Sequence, residues 1–469
     1  MQKIIEIADA VVRHPNRRLS APVSLTLYRG EPIAICGPNG SGKTLLADLI
    51  AGSAPLSSGY RRPYFTSERA NAIRTITFRN VYGDADPHYY QQRWNKGDEA
   101  VFPTVKEVLS RSAELSSPFA QELISDLSLG AHLSAAVHTL SSGELRRFHL
   151  ASVLLHCPEL LIIDNPYIGL DVVAREQIAL LLEQISRHLT LIIIVSRPDD
   201  IPSFIHKVIP LKELQVLPAT TPEAYHEAFP APRPLPPIVS APTAATMTPA
   251  GAPVVQLRHI QVSYDGRQIL APLSWTIHEG EHWALTGANG SGKTTLLSLL
   301  CADNPIAYSL DFTLFGRRRG SGESIWDIKQ QIGYVSPEIY GTYRKNLPAI
   351  DIVASGLHDT VGLYRRVTEE ERARSLRWLE AFEATHLAHR PYLQLSSGEQ
   401  RWILLVRAFV KSPALLVLDE PFHGLDDARR ALARRIIDAY LQGDARRTLI
   451  MVSHYAEDFP ECIDHYKTL

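Results

Sequence analysis

Gly287-Ala288-Asn289-Gly290-Ser291-Gly292-Lys293-Thr294 lies between the apolar run 282–286 and a leucine-rich stretch at 295–300. Glycines at these spacings let a backbone curl tightly with its N–H groups facing inward, and a helix that follows adds its positive N-terminus. Strand, glycine-rich turn and helix in that order make a cradle for a phosphate chain. Lys293 is placed to reach the β/γ-phosphates, Thr294 to hold Mg²⁺ through its hydroxyl, and Thr295 to extend the nucleotide-contacting run.

The same stretch occurs earlier as Gly37-Pro38-Asn39-Gly40-Ser41-Gly42-Lys43-Thr44, after the apolar run 32–36. Other segments repeat with it. Leu140-Ser141-Ser142-Gly143-Glu144 returns as Leu395-Ser396-Ser397-Gly398-Glu399, and Leu161-Ile162-Ile163-Asp164 as Leu416-Val417-Leu418-Asp419. Gly169-Leu170-Asp171 returns as Gly424-Leu425-Asp426. From Leu140 to Asp164 and from Leu395 to Asp419 the interval is 24 residues in each half. A chain of 469 residues with such a repeat is a tandem of two domains of one plan. The expected boundaries are 1–216 for the first, 217–253 for a Pro/Ala-rich tether, and 254–469 for the second. Continuous apolar strands alternating with helical stretches predict α/β domains with buried, largely parallel sheets. In that setting Asp164 and Asp419, each ending an apolar strand downstream of a phosphate loop, are the second pair of magnesium-side oxygens beside Thr44 and Thr294.

Composition narrows the classes. The net charge of -2 leaves no whole-chain electrostatic footprint for nucleic acid. The four cysteines, Cys36, Cys157, Cys301 and Cys462, form no Cys-x-x-Cys pair, which argues against zinc and for a reducing cytosol. The start of the chain carries no signal-peptide pattern, and no apolar run approaches the roughly 20 residues that cross a bilayer. The expected place is the cytoplasm, with the cytoplasmic face of the inner membrane reached only through a partner.

A phosphate loop, Leu-Ser-Ser-Gly-Glu, an apolar strand ending in Asp-Glu-Pro, Gly-Leu-Asp, then a His after a further strand: this set resembles the ATP-binding-cassette (ABC) ATPases, over nearly the whole chain. The resemblance implies two P-loop NTPase domains, each with a RecA-like core, an antiparallel β subdomain and a helical subdomain. It implies ATP and Mg²⁺ as ligands and a head-to-tail domain pair. Each ATP would lie between one domain's phosphate loop and the other domain's signature, Ser141, Ser142 and Gly143 or Ser396, Ser397 and Gly398. It also implies that Glu420 positions the attacking water, that His454 contacts the γ-phosphate, and that Tyr264 stacks on adenine.

The halves differ where chemistry is expected. Asn165 stands in the place of Glu420, Arg197 in that of His454, and His14 in that of Tyr264. An amide cannot accept a proton as a carboxylate can. The first site is therefore expected to bind ATP while the second, with Lys293, Glu420 and His454, turns over. The family's glutamine loop is altered as well. Glu338, after the 332–336 strand, is the best substitute and a candidate Mg²⁺ ligand in the second half, and Gln91 or Gln92 could serve in the first. The segment 314–323, with Arg317 to Arg319, followed by Ile325-Trp326-Asp327-Ile328, is similar to the ModF subfamily of tandem ABC proteins, associated with molybdate transport genes. That points to a membrane permease as partner. A non-transport tandem ATPase, ribosome-associated or a nucleotide-gated regulator, is the alternative. The arginine run reads either as a solvated hairpin face or as a docking patch.

Overall fold

The computed structural model describes residues 2–13, 18–66, 72–77, 103–137, 140, 142–167, 170, 172–229, 251–264, 267–288, 290–343 and 345–469. The chain divides into two compact units whose bulk lies in 1–231 and 232–469.

In the first unit a parallel sheet runs in the order Ile73–Thr77, Leu160–Asp164, Thr190–Val195, Ile33–Cys36, Lys207–Lys212, with Gln215–Val216 antiparallel at the edge. A separate antiparallel sheet joins Val23–Tyr28, Lys3–Val12 and Leu56–Pro63. The second unit repeats the plan. Its parallel sheet runs Ile332–Val335, Leu415–Asp419, Thr448–Val452, His282–Thr286, His465–Thr468. Its antiparallel sheet joins Arg267–His278, Pro253–Tyr264, Phe312–Leu314 and Arg317–Arg318.

The apolar strands earn their composition by being covered on both faces. Side chains alternate across a strand. Leu416 and Leu418 thus enter one core, shared with the helices, while Leu415 and Val417 enter another beneath the antiparallel sheet. Leu161 and Ile163 divide from Leu160 and Ile162 in the same way in the first unit. Full burial of such a side chain stabilises by about 1.5–3 kcal/mol, so the register of these strands is strongly specified.

The helical part of the second unit contains Ala349–Ala354, Glu369–Ala381 and Ser397–Phe409. Thr368 caps the second of these in a reciprocal box with Glu371. Trp402 is buried there, and its indole N–H donates to the Phe382 carbonyl at 3.0 Å.

Three details depart from simple expectation. Residues 217–229, at the start of the Pro/Ala-rich stretch, include the helix Pro222–Ala228, capped by Thr221, and its Tyr225 enters the first unit's core. Of the three arginines read together, Arg317 and Arg318 are exposed, but Arg319 is buried, paired with Glu323 and stacked over Tyr308. The last is therefore neither a solvated face nor a docking group. Cys36 and Cys301 are buried in the cores, whereas Cys157 is exposed. Among the described residues no helix is long and apolar enough to cross a membrane.

Candidate nucleotide and hydrolysis sites

Each glycine-rich loop leaves an interior strand of its parallel sheet and enters a helix, Lys43–Ala51 or Lys293–Leu300. Gly42 and Gly292 cap those helices with φ of 99° and 93°, a left-handed region that costs an L-residue roughly 1–2 kcal/mol. Gly37 is required for a different reason: a Cβ there would lie 2.2 Å from the Leu211 carbonyl oxygen. Pro38, Asn39 and Gly40, and Ala288 and Gly290, form the two crests. Asn39 accepts a hydrogen bond from Ser196 at 3.1 Å.

Both lysines curl over their own loops. Lys43 Nζ donates to the Gly37 and Pro38 carbonyls at 2.6 and 2.8 Å. Lys293 Nζ does the same to Gly287 and Ala288, at 2.6 and 2.8 Å. The Ser41 and Ser291 hydroxyls are buried without a hydrogen-bond partner among the described residues. A buried donor left unmade is costly, and phosphate oxygens are the acceptors a loop of this shape admits. The loops thus fit a polyphosphate. Thr44 and Thr294 stand in the first helical turn, while Thr295, one residue on, is buried. With Asp164 and Asp419 at their strand ends, the donor sets are all oxygen, which suits Mg²⁺.

The residues after those aspartates begin alike and end differently. Asn165 N–H donates to the Ile194 carbonyl at 2.9 Å and Glu420 N–H to that of Val452 at 3.0 Å. Both have left-handed backbones, φ 52° and 48°. The Asn165 amide then turns back and donates to Asp164 Oδ1 at 2.7 Å. Glu420 instead lies between two imidazoles: His454 Nε2 is 3.4 Å from Oε1, and His423 Nε2 is 3.1 Å from Oε2. Burial, reinforced by the charges of Asp419 and Asp458 and opposed by Lys293 and Arg430, pushes the Glu420 carboxyl well above the ordinary range. A carboxylate with raised proton affinity is a better acceptor of a proton from water. Arg197 lies with its guanidinium 3.3 Å from Asp199.

The His454 loop is braced from behind. Ser453 donates to Asp458 at 2.7 Å, Arg430 pairs with Asp458, and the Arg430 guanidinium stacks over the Tyr455 ring. The first unit has the matching brace, Arg175 to Asp200 at 2.6 Å, with Arg175 over Tyr167. Sequence reading missed these residues and His423. A signal was present, because Arg175 and Arg430 each stand four residues after the aspartate of Gly-Leu-Asp.

Gly143 lies in the first turn of the helix Ser142–Leu154, and Ser397 and Gly398 open Ser397–Phe409 just after Ser396. Leu140 and Leu395 anchor these ends in the core. Glu399 pairs with Arg390 at 3.2 Å, and Glu144 faces His132 at 3.6 Å. His14, Gln91, Gln92, Ser141, Gly169, Asp171 and Asn289, and the side chains of Ser142, Tyr264 and Glu338, lie outside the described residues.

The ABC transporter family model matches twice, over residues 21–168 and 270–423. The chain belongs to the ABC ATPases. It is similar to the ABC transporter ATP-binding protein ModF of Escherichia coli K12, 37% identical with 98% of this chain and 96% of that protein covered. It is also similar to an uncharacterized ABC transporter ATP-binding protein of Schizosaccharomyces pombe, 33% identical, with 99% and 97% covered. Among solved structures, a chain of a ribosome-bound archaeal Pelota and ABCE1 model shares the fold with a TM-score of 0.63 and 18% identity, covering 97% of this chain and 75% of that one. The RNase-L Inhibitor does so with a TM-score of 0.53 and 18% identity, covering 98% and 87%. The protein is thus an ATP-binding tandem ABC ATPase of the ModF kind.

Proposed function

We propose that this ATPase hydrolyses ATP chiefly with the second domain's residues while the first domain's loop holds ATP as a slowly exchanging ligand. The observation that carries this reading is the contrast between Glu420, set between His423 and His454, and Asn165, tied to Asp164. In the working site Lys293 exchanges its loop carbonyls for phosphate oxygens, Glu420 accepts the proton of the attacking water, and His454 contacts the γ-phosphate. Thr294 and Asp419 would hold Mg²⁺, which supplies charge neutralisation on the phosphates. In the first site Thr44 and Asp164 would hold it, with Lys43 on the phosphates.

By resemblance to the family, the first domain's signature, Ser141, Ser142 and Gly143, completes the working site. Ser396, Ser397 and Gly398 complete the other. The domains are then 1–216, with the helix Pro222–Ala228 packed onto it, and 254–469, joined through the rest of 217–253. Resemblance to the ModF subfamily, at 37% identity, supports a role as the energising subunit of an ABC importer of molybdate type, acting at the cytoplasmic face through a permease. Glu420→Gln tests both parts. It should trap the ATP-bound pair, abolish steady-state turnover, and co-purify a permease from membranes. Turnover near that of the unmodified protein would overturn the unequal-sites reading, and recovery of ribosomes in place of a permease would overturn the transport reading.

A further inference from the structure

We propose that His423 is a positioning residue for hydrolysis, holding the Glu420 carboxylate through the oxygen that His454 does not reach. The proposal rests on the reading of Glu420 as the water-activating group.

Three side chains, His423, Glu420 and His454, are 6%, 6% and 12% exposed and lie in one line of contact. A carboxylate touched at one oxygen still rotates about its last carbon–carbon bond. Approaches of 3.1 Å at Oε2 and 3.4 Å at Oε1, ion-pair distances without hydrogen-bond alignment, bracket it on both sides. Neither approach is aligned as a hydrogen bond, so lone pairs on both oxygens remain for water.

The backbone that carries the ring is well held. The His423 N–H donates to the Glu420 carbonyl at 3.3 Å, and the His423 carbonyl accepts from Arg401 Nη1 at 2.9 Å. Arg401 belongs to the helix Ser397–Phe409 and lies over the Tyr340 ring, 4.3 Å from its centroid. The turn that orients the carboxylate is therefore fastened to the helix that begins with the second signature.

The internal repeat adds an independent argument. Aligned on their aspartates, Asp164-Asn165-Pro166-Tyr167-Ile168 and Asp419-Glu420-Pro421-Phe422-His423 place Ile168 opposite His423. The half that carries Asn for Glu also carries Ile for this His and Arg197 for His454. A histidine kept for packing alone has no reason to leave together with the carboxylate it touches.

The test compares His423→Leu, which keeps bulk without a donor, with His423→Gln, which keeps an N–H at similar reach, and with Glu420→Gln as control. For His423→Leu, kcat should fall about tenfold, the rate equivalent of about 1.4 kcal/mol of lost positioning, with KM for ATP and Tm unchanged. His423→Gln should recover most of that loss. Normal kcat in His423→Leu, or equal losses in Leu and Gln with a lowered Tm, would overturn the proposal. An active Glu420→Gln would instead overturn the underlying reading of the site.

Discussion

The amide of Asn165 donates to the carboxylate of Asp164 at 2.7 Å, so the side chain beside the aspartate proposed to hold Mg²⁺ is spent on its neighbour. Total ATPase should therefore be insensitive to Asn165→Ala, within about twofold. In a steady-state phosphate-release assay Glu420→Gln should lose at least ~100-fold, the low end of what a positioned general base contributes. Comparable losses from the two variants would contradict unequal sites.

The two lysines sit in the same geometry, and so predict equal binding with unequal chemistry. Calorimetric titration of Lys43→Ala with ATP should give one site per chain in place of two, while part of the turnover persists. Lys293→Ala should leave one site and no turnover.

At Gly37, an added methyl would meet the Leu211 carbonyl oxygen at 2.2 Å, a backbone atom that no side-chain rotation can move away. Gly37→Ala should distort the first loop and lower Tm. Overpacking of this kind costs about 1–3 kcal/mol, and thermal unfolding with and without ATP would register both the loss and the missing nucleotide stabilisation.

A last prediction concerns acid stability. The Thr368 backbone N–H donates to Glu371, and with the Arg365 and His358 charges this holds the Glu371 carboxyl below its ordinary 4.5 against the opposing effect of burial. A lowered folded-state value means the contribution is present above the unfolded value and is lost as pH falls through the folded one. Thr368→Ala should cost about 1 kcal/mol, as for a lost helix cap. Glu371→Gln should flatten the stability profile below pH 4.5, read by urea melts across pH.

Much of the fold was legible because it is written in burial. Leu160–Asp164 and Leu415–Asp419 are covered on both faces, and continuous apolar runs bounded by a carboxylate announce that directly. The phosphate loops were legible because phosphate wrapping admits few residues. What escaped was set by tertiary contact. His423 occupies a position where many side chains satisfy the local turn, and only its approach to Glu420 gives it meaning. Pro222–Ala228 was hidden by the composition around it, although Thr221, Pro222 and the buried Tyr225 supply a cap, a first turn and an anchor. Arg319 reads as one of three surface cations until Glu323 and Tyr308 close around it.

The left-handed backbone shared by Asn165 and Glu420 has a consequence for descent. Asparagine enters that conformation far more readily than glutamate. A duplicated domain that exchanges the glutamate for asparagine gains stability at the same step at which it gives up turnover. The way back requires the strain to return before any catalysis rewards it, and two histidines besides. Selection on stability alone then works as a ratchet, keeping one half of such a pair a binder and leaving the other to carry the strained residue.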